Sequence, residues 1–173
     1  MTRAGLPLPW YSYPAIAFLS DRLPPGARVF EYGAGNSSLW YASRCREVTS
    51  VESDENWYQE IARRLPVNAH CVFRPDRDSY AAEITNHVGP FDVIVIDGQW
   101  RAACARQALH CLAPGGVVIW DNSDMPEFEF DAAFEDVFVP AGFRELELRG
   151  LGPVNAFVWS TSILYRPGNL LSI

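Results

Sequence analysis

The chain has no lysine: all 14 basic residues among its 173 are arginine. The omission reads as compositional bias, but its chemical consequences hold whatever its origin. No pyridoxal Schiff base can form, no lysine can serve as a general base, and no complete Walker A motif can be present. Positive charge is scarce altogether, with 21 acidic residues giving a net charge of −7 and a pI near 4.9. Phosphate backbones need a basic footprint, so nucleic acid is not the expected partner, whereas a small cationic ligand stays open. Histidine is limited to three residues. His70 falls at a strand start, His87 near a helix end and His110 late in a helix, and all three read as structural. The four cysteines, Cys45, Cys71, Cys104 and Cys111, lack metal-ligand spacing and read as buried free thiols suited to a reducing compartment. No long apolar run, signal peptide, repeat or low-complexity linker is visible, so the expected location is cytoplasmic, with no membrane contact.

What is present is a regular alternation of strand-like and helix-like segments. Strands are expected at 28–32 (RVFEY), 47–52 (EVTSVE), 69–74 (AHCVFR), 91–97 (FDVIVID) and 116–120 (GVVIW). Amphipathic helices are expected near 37–45, 54–65, 78–87 and 100–112, with a shorter one at 13–23 and another at 127–138. The runs FDVIVID and GGVVIW are almost continuously apolar, which marks strands covered on both faces and therefore a parallel sheet between helices. The end of the chain differs: 142–149 alternates, Gly150-Leu151-Gly152-Pro153 reads as a turn, and 155–166 is again strand-like. The expected fold is a single α/β domain over 1–173, doubly wound, with helices on both faces. Its sheet has five parallel strands and a C-terminal hairpin, seven strands in all with the last antiparallel. Residues 1–26 form a helical lead-in, 27–121 a cofactor-binding core, and 122–173 a helix and the terminal hairpin.

The stretch Val29-Phe-Glu31-Tyr-Gly33-Ala-Gly35-Asn36-Ser37-Ser38 carries most of the functional information. An apolar strand runs into an acid, then Gly-x-Gly, then small residues that can open a helix. In a doubly wound sheet such a turn lies at the strand ends where ligands bind. Gly33 permits the tight turn and Gly35 lets a ligand approach the backbone. Glu52, 21 residues after Glu31 at the end of the second strand, can accept both hydroxyls of a ribose. Glu31 would face a phosphate poorly and suits an ammonium-bearing ligand. Position 38 is serine where the dinucleotide pattern has its third glycine, which counts against NAD.

These segments resemble the class I S-adenosylmethionine (SAM)-dependent methyltransferases. Glu31-Tyr-Gly-Ala-Gly35 looks like their first motif, and Thr49-Ser-Val-Glu52 like the second-strand motif. Phe91-Asp-Val-Ile-Val-Ile-Asp97-Gly98 looks like the fourth, and Leu112-Ala-Pro-Gly-Gly-Val-Val-Ile-Trp-Asp121 like the fifth. The likeness spans about 27–166. More narrowly, Asp97-Gly-x-x-Arg101, Trp120-Asp-Asn-Ser and Trp159-Ser-Thr-Ser resemble a subgroup of small methyltransferases without a defined substrate. The resemblance implies SAM as cofactor. Glu31, Gly33 and Gly35, with the adjoining Asn36 and Ser37, would line its methionine part, and Glu52 would hold the ribose. Asp76, Asp78 or Ser79 would reach the adenine, and Asp97 would border the cofactor. Tyr11 and Tyr13 would fold over it or serve in packing.

Asp97, Asp121 and Asn122 end the fourth and fifth strands. They are similar to the Asp…Asp-Asn set with which catechol-type O-methyltransferases hold magnesium, so Mg²⁺ or Mn²⁺ would suit them. Two departures stand against that set. Arg101 stands in the region of the family's lysine base, and the Asp97-to-Arg101 spacing is one residue longer. Without a metal, Asp97 is the first choice to accept the substrate proton and Asp121 the second. Arg101 either pairs with an anionic substrate group or packs its stem on Trp100. The expected reaction is methyl transfer to a small molecule, at an oxygen. The alternatives are an NAD-linked oxidoreductase and a non-catalytic SAM-binding subunit. The short substrate cap suggests a homodimer or partner chain completing the site, with the tail Leu170–Ile173 either at that interface or free.

Overall fold

The computed structural model describes residue 5 and residues 7–173, so part of the lead-in, residues 1–4 and 6, lies outside the described residues. Strands β1 (Arg28–Tyr32), β2 (Glu47–Glu52), β3 (Ala69–Phe73), β4 (Phe91–Ile96), β5 (Leu112–Asp121), β6 (Arg144–Gly150) and β7 (Trp159–Tyr165) form one sheet. Its order is β3-β2-β1-β4-β5-β7-β6. The first five strands are mutually parallel, and β7 runs antiparallel to both β5 and β6, as the hairpin pattern requires. Strand order therefore reverses between β1 and β4, and the turns leaving those two strands open a crevice at their C-terminal ends.

Alternation along each central strand feeds two apolar layers. Phe30, Tyr32, Ile94, Ile96, Val118 and Trp120 face the layer beneath helices α4 (Arg77–Ala82), α5 (Arg101–Cys111) and α6 (Phe130–Ala133). Val29, Val93, Val95, Val117 and Ile119 face the opposite layer, under α1 (Tyr13–Arg22) and α2 (Asn36–Ala42). Helix α3 (Glu55–Ala62) closes a smaller cluster through Ile61 and Cys71. Each large apolar side chain enclosed this way contributes about 1.5–3 kcal/mol. No helix among the described residues is long and apolar enough to cross a membrane.

Several boundaries differ from those expected. β5 begins at Leu112, not 116, because Leu112 already pairs with Phe91; Ala113–Gly116 bulge out before the ladder resumes with Val117 opposite Val93. The helix expected at 127–138 is broken: a 3₁₀ turn at Pro126–Phe128 ends in left-handed Glu129 (φ 56°), α6 follows, and Phe134–Phe138 widen into a π turn. β7 begins at Trp159, leaving Leu151, Val154, Phe157 and Val158 half-exposed in the connecting loop. The C-terminal tail packs on its own chain. Leu171 is buried against the α1 layer, its carbonyl accepts from Arg22, and the Leu170 amide donates to Gly115. Cys45, Cys71 and Cys104 are buried and Cys111 partly so, all as free thiols; burial pushes Cys45 up to about 11 and Cys71 to about 12.

Candidate active site

The two loops at the switch point cross in near contact. Gly33 has φ +93°, and a Cβ on it would lie 2.9 Å from the Gly98 Cα; a Cβ on Gly98 would lie 2.9 Å from the Gly33 nitrogen. Only glycine tolerates both that conformation and that approach. The amide of Gly33 donates to the Val51 carbonyl (2.9 Å) and that of Asp97 to the Tyr32 carbonyl (3.0 Å), lacing the ends of β1, β2 and β4 together. Gly35 is extended, and a Cβ there would make ordinary contact with Trp57 at 3.8 Å. The chain itself does not need glycine at 35, so its missing side chain leaves room for something else.

Above this crossing lies a cavity of about 500 Å³. The turn Gly33–Ser37 and Glu52 form one wall, and Asp97, Gly98, Gln99 and Arg101 the other. Trp10, Trp57 and Phe128 supply aromatic surface. Glu52 ties the first wall down: one carboxylate oxygen accepts the Ala34 amide (3.1 Å), the other accepts those of Ser53 (2.7 Å) and Asp54 (2.9 Å). The Trp57 indole donates to the Ala34 carbonyl (2.6 Å), and the Trp10 ring stands 6.5 Å from it.

Glu31 lies beneath the turn, completely enclosed. Its Oε2 accepts from the Ser38 hydroxyl and from Ser50 (3.2 Å), while Oε1 has no hydrogen-bond partner. Burial pushes this carboxyl up to about 8, against the serine hydrogen bonds and with help from the charge of Asp97. Tyr11 and Tyr41 are buried nearby, their hydroxyls 3.4 Å apart. Tyr11 is therefore a packing residue, half-exposed Tyr13 is outside the cavity wall, and the aromatic beside the cavity is Trp10.

The second wall is organised by Arg101. Its guanidinium donates to the carbonyls of Gly98 (3.0 Å), Asp97 (3.1 Å) and Asp121, to Asp97 Oδ1 (3.3 Å) and to Asn122 Oδ1 (3.4 Å). Phe128 covers one face of the guanidinium, whose carbon is 3.7 Å from the ring centre. Arg101 thus does not ride on the helix surface: all three of its nitrogens donate to protein oxygens. Burial raises the Asp97 carboxyl to about 6, with Arg101 pulling the other way. Asp121 turns its Oδ1 toward Thr161 (2.5 Å) and Trp159 (3.2 Å), and burial and the neighbouring Asp97 hold it well above the ordinary carboxylate range.

The side-chain oxygens of Asp97 and Asn122 converge on one nitrogen of the Arg101 guanidinium, while Asp121 turns its Oδ1 to Thr161 and Trp159. Among the described residues no group of three His, Cys, Asp or Glu side chains is arranged to hold an ion. Asp76, Asp78 and Ser79 are absent from the cavity wall. Asp76 caps α4 instead, accepting the Ser79 amide (3.0 Å) and hydroxyl (2.5 Å), which hold its exposed carboxyl low. Trp10, Trp57, Gln99 and Phe128 are wall residues that the motifs did not single out. Trp57 carried one usable signal: it follows the cap Asp54 by three residues, in the first turn of a helix that starts at a site strand.

Residues 30–123, more than half of the chain, match the family model described as a methyltransferase domain. No curated protein matches the chain in sequence. Among solved structures, an rRNA methylase from Streptococcus thermophilus is similar at 18% identity over 87% of this chain and 92% of that one, with a TM-score of 0.65. A methyltransferase from Pyrococcus furiosus gives 20% identity, 87% and 80% coverage, and a TM-score of 0.62. A Streptococcus mutans protein in complex with S-adenosylhomocysteine gives 15%, 86% and 94%, and 0.59. At these identities the structural likeness is one of fold. The family match adds the chemistry to that fold: this chain belongs to the class I SAM-dependent methyltransferases.

Proposed function

We propose that the 500 Å³ cavity takes SAM and presents its methyl group to a small-molecule hydroxyl. The observation that carries this reading is one cavity bounded by the Gly33–Ser37 turn, Glu52 and Asp97 together, with Glu31 enclosed beneath the turn. In this reading the turn follows the methionine part. The ammonium group lies above Glu31, whose buried carboxyl the arriving cation draws toward its ionised form, and Glu52 accepts the ribose hydroxyls with lone pairs left over from its three amide contacts. The adenine falls to Trp57 and to the carboxamide of Gln99, which can both donate and accept. Asp76 and Ser79 are committed to the α4 cap, and Asp78 is absent from the cavity wall.

Transfer is an in-line displacement: the acceptor oxygen forms a bond to the methyl carbon, the carbon–sulfur bond breaks, and S-adenosylhomocysteine leaves as a neutral thioether. Much of the rate comes from orientation and exclusion of water. The acceptor proton goes to Asp97, raised toward neutrality by burial and so suited to proton exchange near physiological pH. Asp121, withdrawn from the cavity, supports Asp97 rather than replacing it.

Calorimetry and thermal shift with S-adenosylhomocysteine and NAD(H) test the cofactor assignment. S-adenosylhomocysteine should bind and stabilise, and stabilisation by NAD(H) alone would sink the reading. Labelled SAM with a panel of phenols, alcohols, amines and thiols then tests the acceptor atom. Label found only on nitrogen or sulfur would refute transfer to oxygen.

A further inference from the structure

We propose that Arg101 is the built-in cation of this site. Its guanidinium fills the place between the ends of β4 and β5 that a divalent ion would need, fixes Asp97 against the cavity, and leaves the site closed to Mg²⁺ and Mn²⁺. This rests on the reading of the cavity as the methyl-transfer site.

The oxygens around the guanidinium are those that a metal would have to use. Asp97 Oδ1 and Asn122 Oδ1, both expected as ligands, accept from the same Nη2 at 3.3 and 3.4 Å. Nη1 donates to the Asp121 carbonyl and Nε to that of Gly98. A metal would have to expel the arginine, and Asp121, whose Oδ1 is committed to Thr161 and Trp159, would have only its other oxygen to offer.

The backbone is shaped around this arrangement. Asn122 directly follows Asp121, whose carbonyl Arg101 holds, and Trp100 directly precedes Arg101; both are left-handed without being glycine, at φ 53° and 49°. Such conformations persist only where surrounding contacts over-determine them. Nη2 also bridges the main-chain carbonyl and the carboxylate of Asp97, so one planar group fixes that residue's backbone and side chain together. A lysine ammonium, a single point charge, lacks this fork. Arg101 is accordingly a positioning residue that acts through Asp97.

The test combines Mn²⁺ titration, read by water-proton relaxation, with S-adenosylhomocysteine calorimetry on wild type, Arg101→Lys and Arg101→Ala. Wild type should show no saturable Mn²⁺ binding up to about 1 mM, and its ligand affinity should not respond to EDTA. Arg101→Ala should bind S-adenosylhomocysteine roughly tenfold more weakly and recover with millimolar guanidinium chloride, which leaves wild type unchanged; Arg101→Lys should not recover. Saturable Mn²⁺ binding by wild type that Asp97→Asn removes would overturn the proposal. So would a folded Arg101→Ala that keeps wild-type affinity. If Arg101→Ala does not fold, the wild-type titration still decides. Failure of wild type to bind S-adenosylhomocysteine refutes the methyl-donor reading instead, so the two failures are distinguishable.

Discussion

Glu31 accepts two hydroxyl hydrogen bonds on one oxygen and none on the other, inside a space that water does not reach. With its folded value about 8 and its ordinary value near 4.5, the folded protein holds a proton that the unfolded chain has released across that window. Stability from this group is therefore full below pH 4.5 and falls as pH rises toward 8, by at most roughly 5 kcal/mol. Denaturation of the empty protein between pH 6.5 and 8 should show this decline, and Glu31→Gln should flatten it by one proton; an unchanged slope would exclude Glu31 as its source. Asp97→Asn should abolish methyl transfer while changing S-adenosylhomocysteine affinity by less than about threefold, and unchanged turnover would remove Asp97 from the mechanism. Gly33, Glu52 and Asp97 stand at the cavity wall as the sequence suggested, because each ends or directly follows a strand, whereas Glu31, expected to line it, lies enclosed beneath the turn since its position within β1 faces inward. Trp10, Trp57 and Phe128 were not legible there, since the place of an aromatic ring depends on which distant segments it meets. Asp76 was misleading because the same acid-to-serine spacing serves a helix cap.

Two loops meet where β1 and β4 end, and their glycines have different duties. Gly33→Ala would force a Cβ at positive φ against the Gly98 backbone and should cost about 1–3 kcal/mol or more in chemical denaturation. Gly35→Ala meets only ordinary contact and should change stability by no more than about 0.5 kcal/mol, while weakening S-adenosylhomocysteine in calorimetry by projecting into the cavity. Equal loss of stability in both variants would contradict this division. At this scale the sequence revealed the parallel strands and the antiparallel end through apolar continuity and its change to alternation. It did not reveal the break at Glu129, because left-handed backbone at a non-glycine residue has no local sequence signal, nor did it reveal the packing of Phe128 on Arg101 just before that break. The same packing decided the place of Arg101, which spacing alone left open between the surface and the substrate.

Taken whole, the molecule closes on itself at its C-terminus. Leu171 is 1% exposed against the α1 layer, and Asn169 accepts the amides of Leu171 and Ile173. Leu171→Ala should therefore cost about 2–4 kcal/mol, lowering the melting temperature without altering the sedimentation coefficient. A change in oligomeric state with stability intact would return the tail to an interface. The apolar character of this segment was plain from the sequence, but a chain end carries no periodicity to say what it covers. The rim of the cavity has a consequence of another kind. Trp10 is nearly half exposed and stands 6.5 Å from Trp57, whereas Trp40, Trp120 and Trp159 are enclosed and Trp100 is partly buried against Tyr80. The emission that answers to solvent thus comes disproportionately from the cavity rim, so occupancy can be followed by intrinsic fluorescence with no label attached. Trp10→Phe, which silences the exposed half of that pair, is the control that assigns the signal.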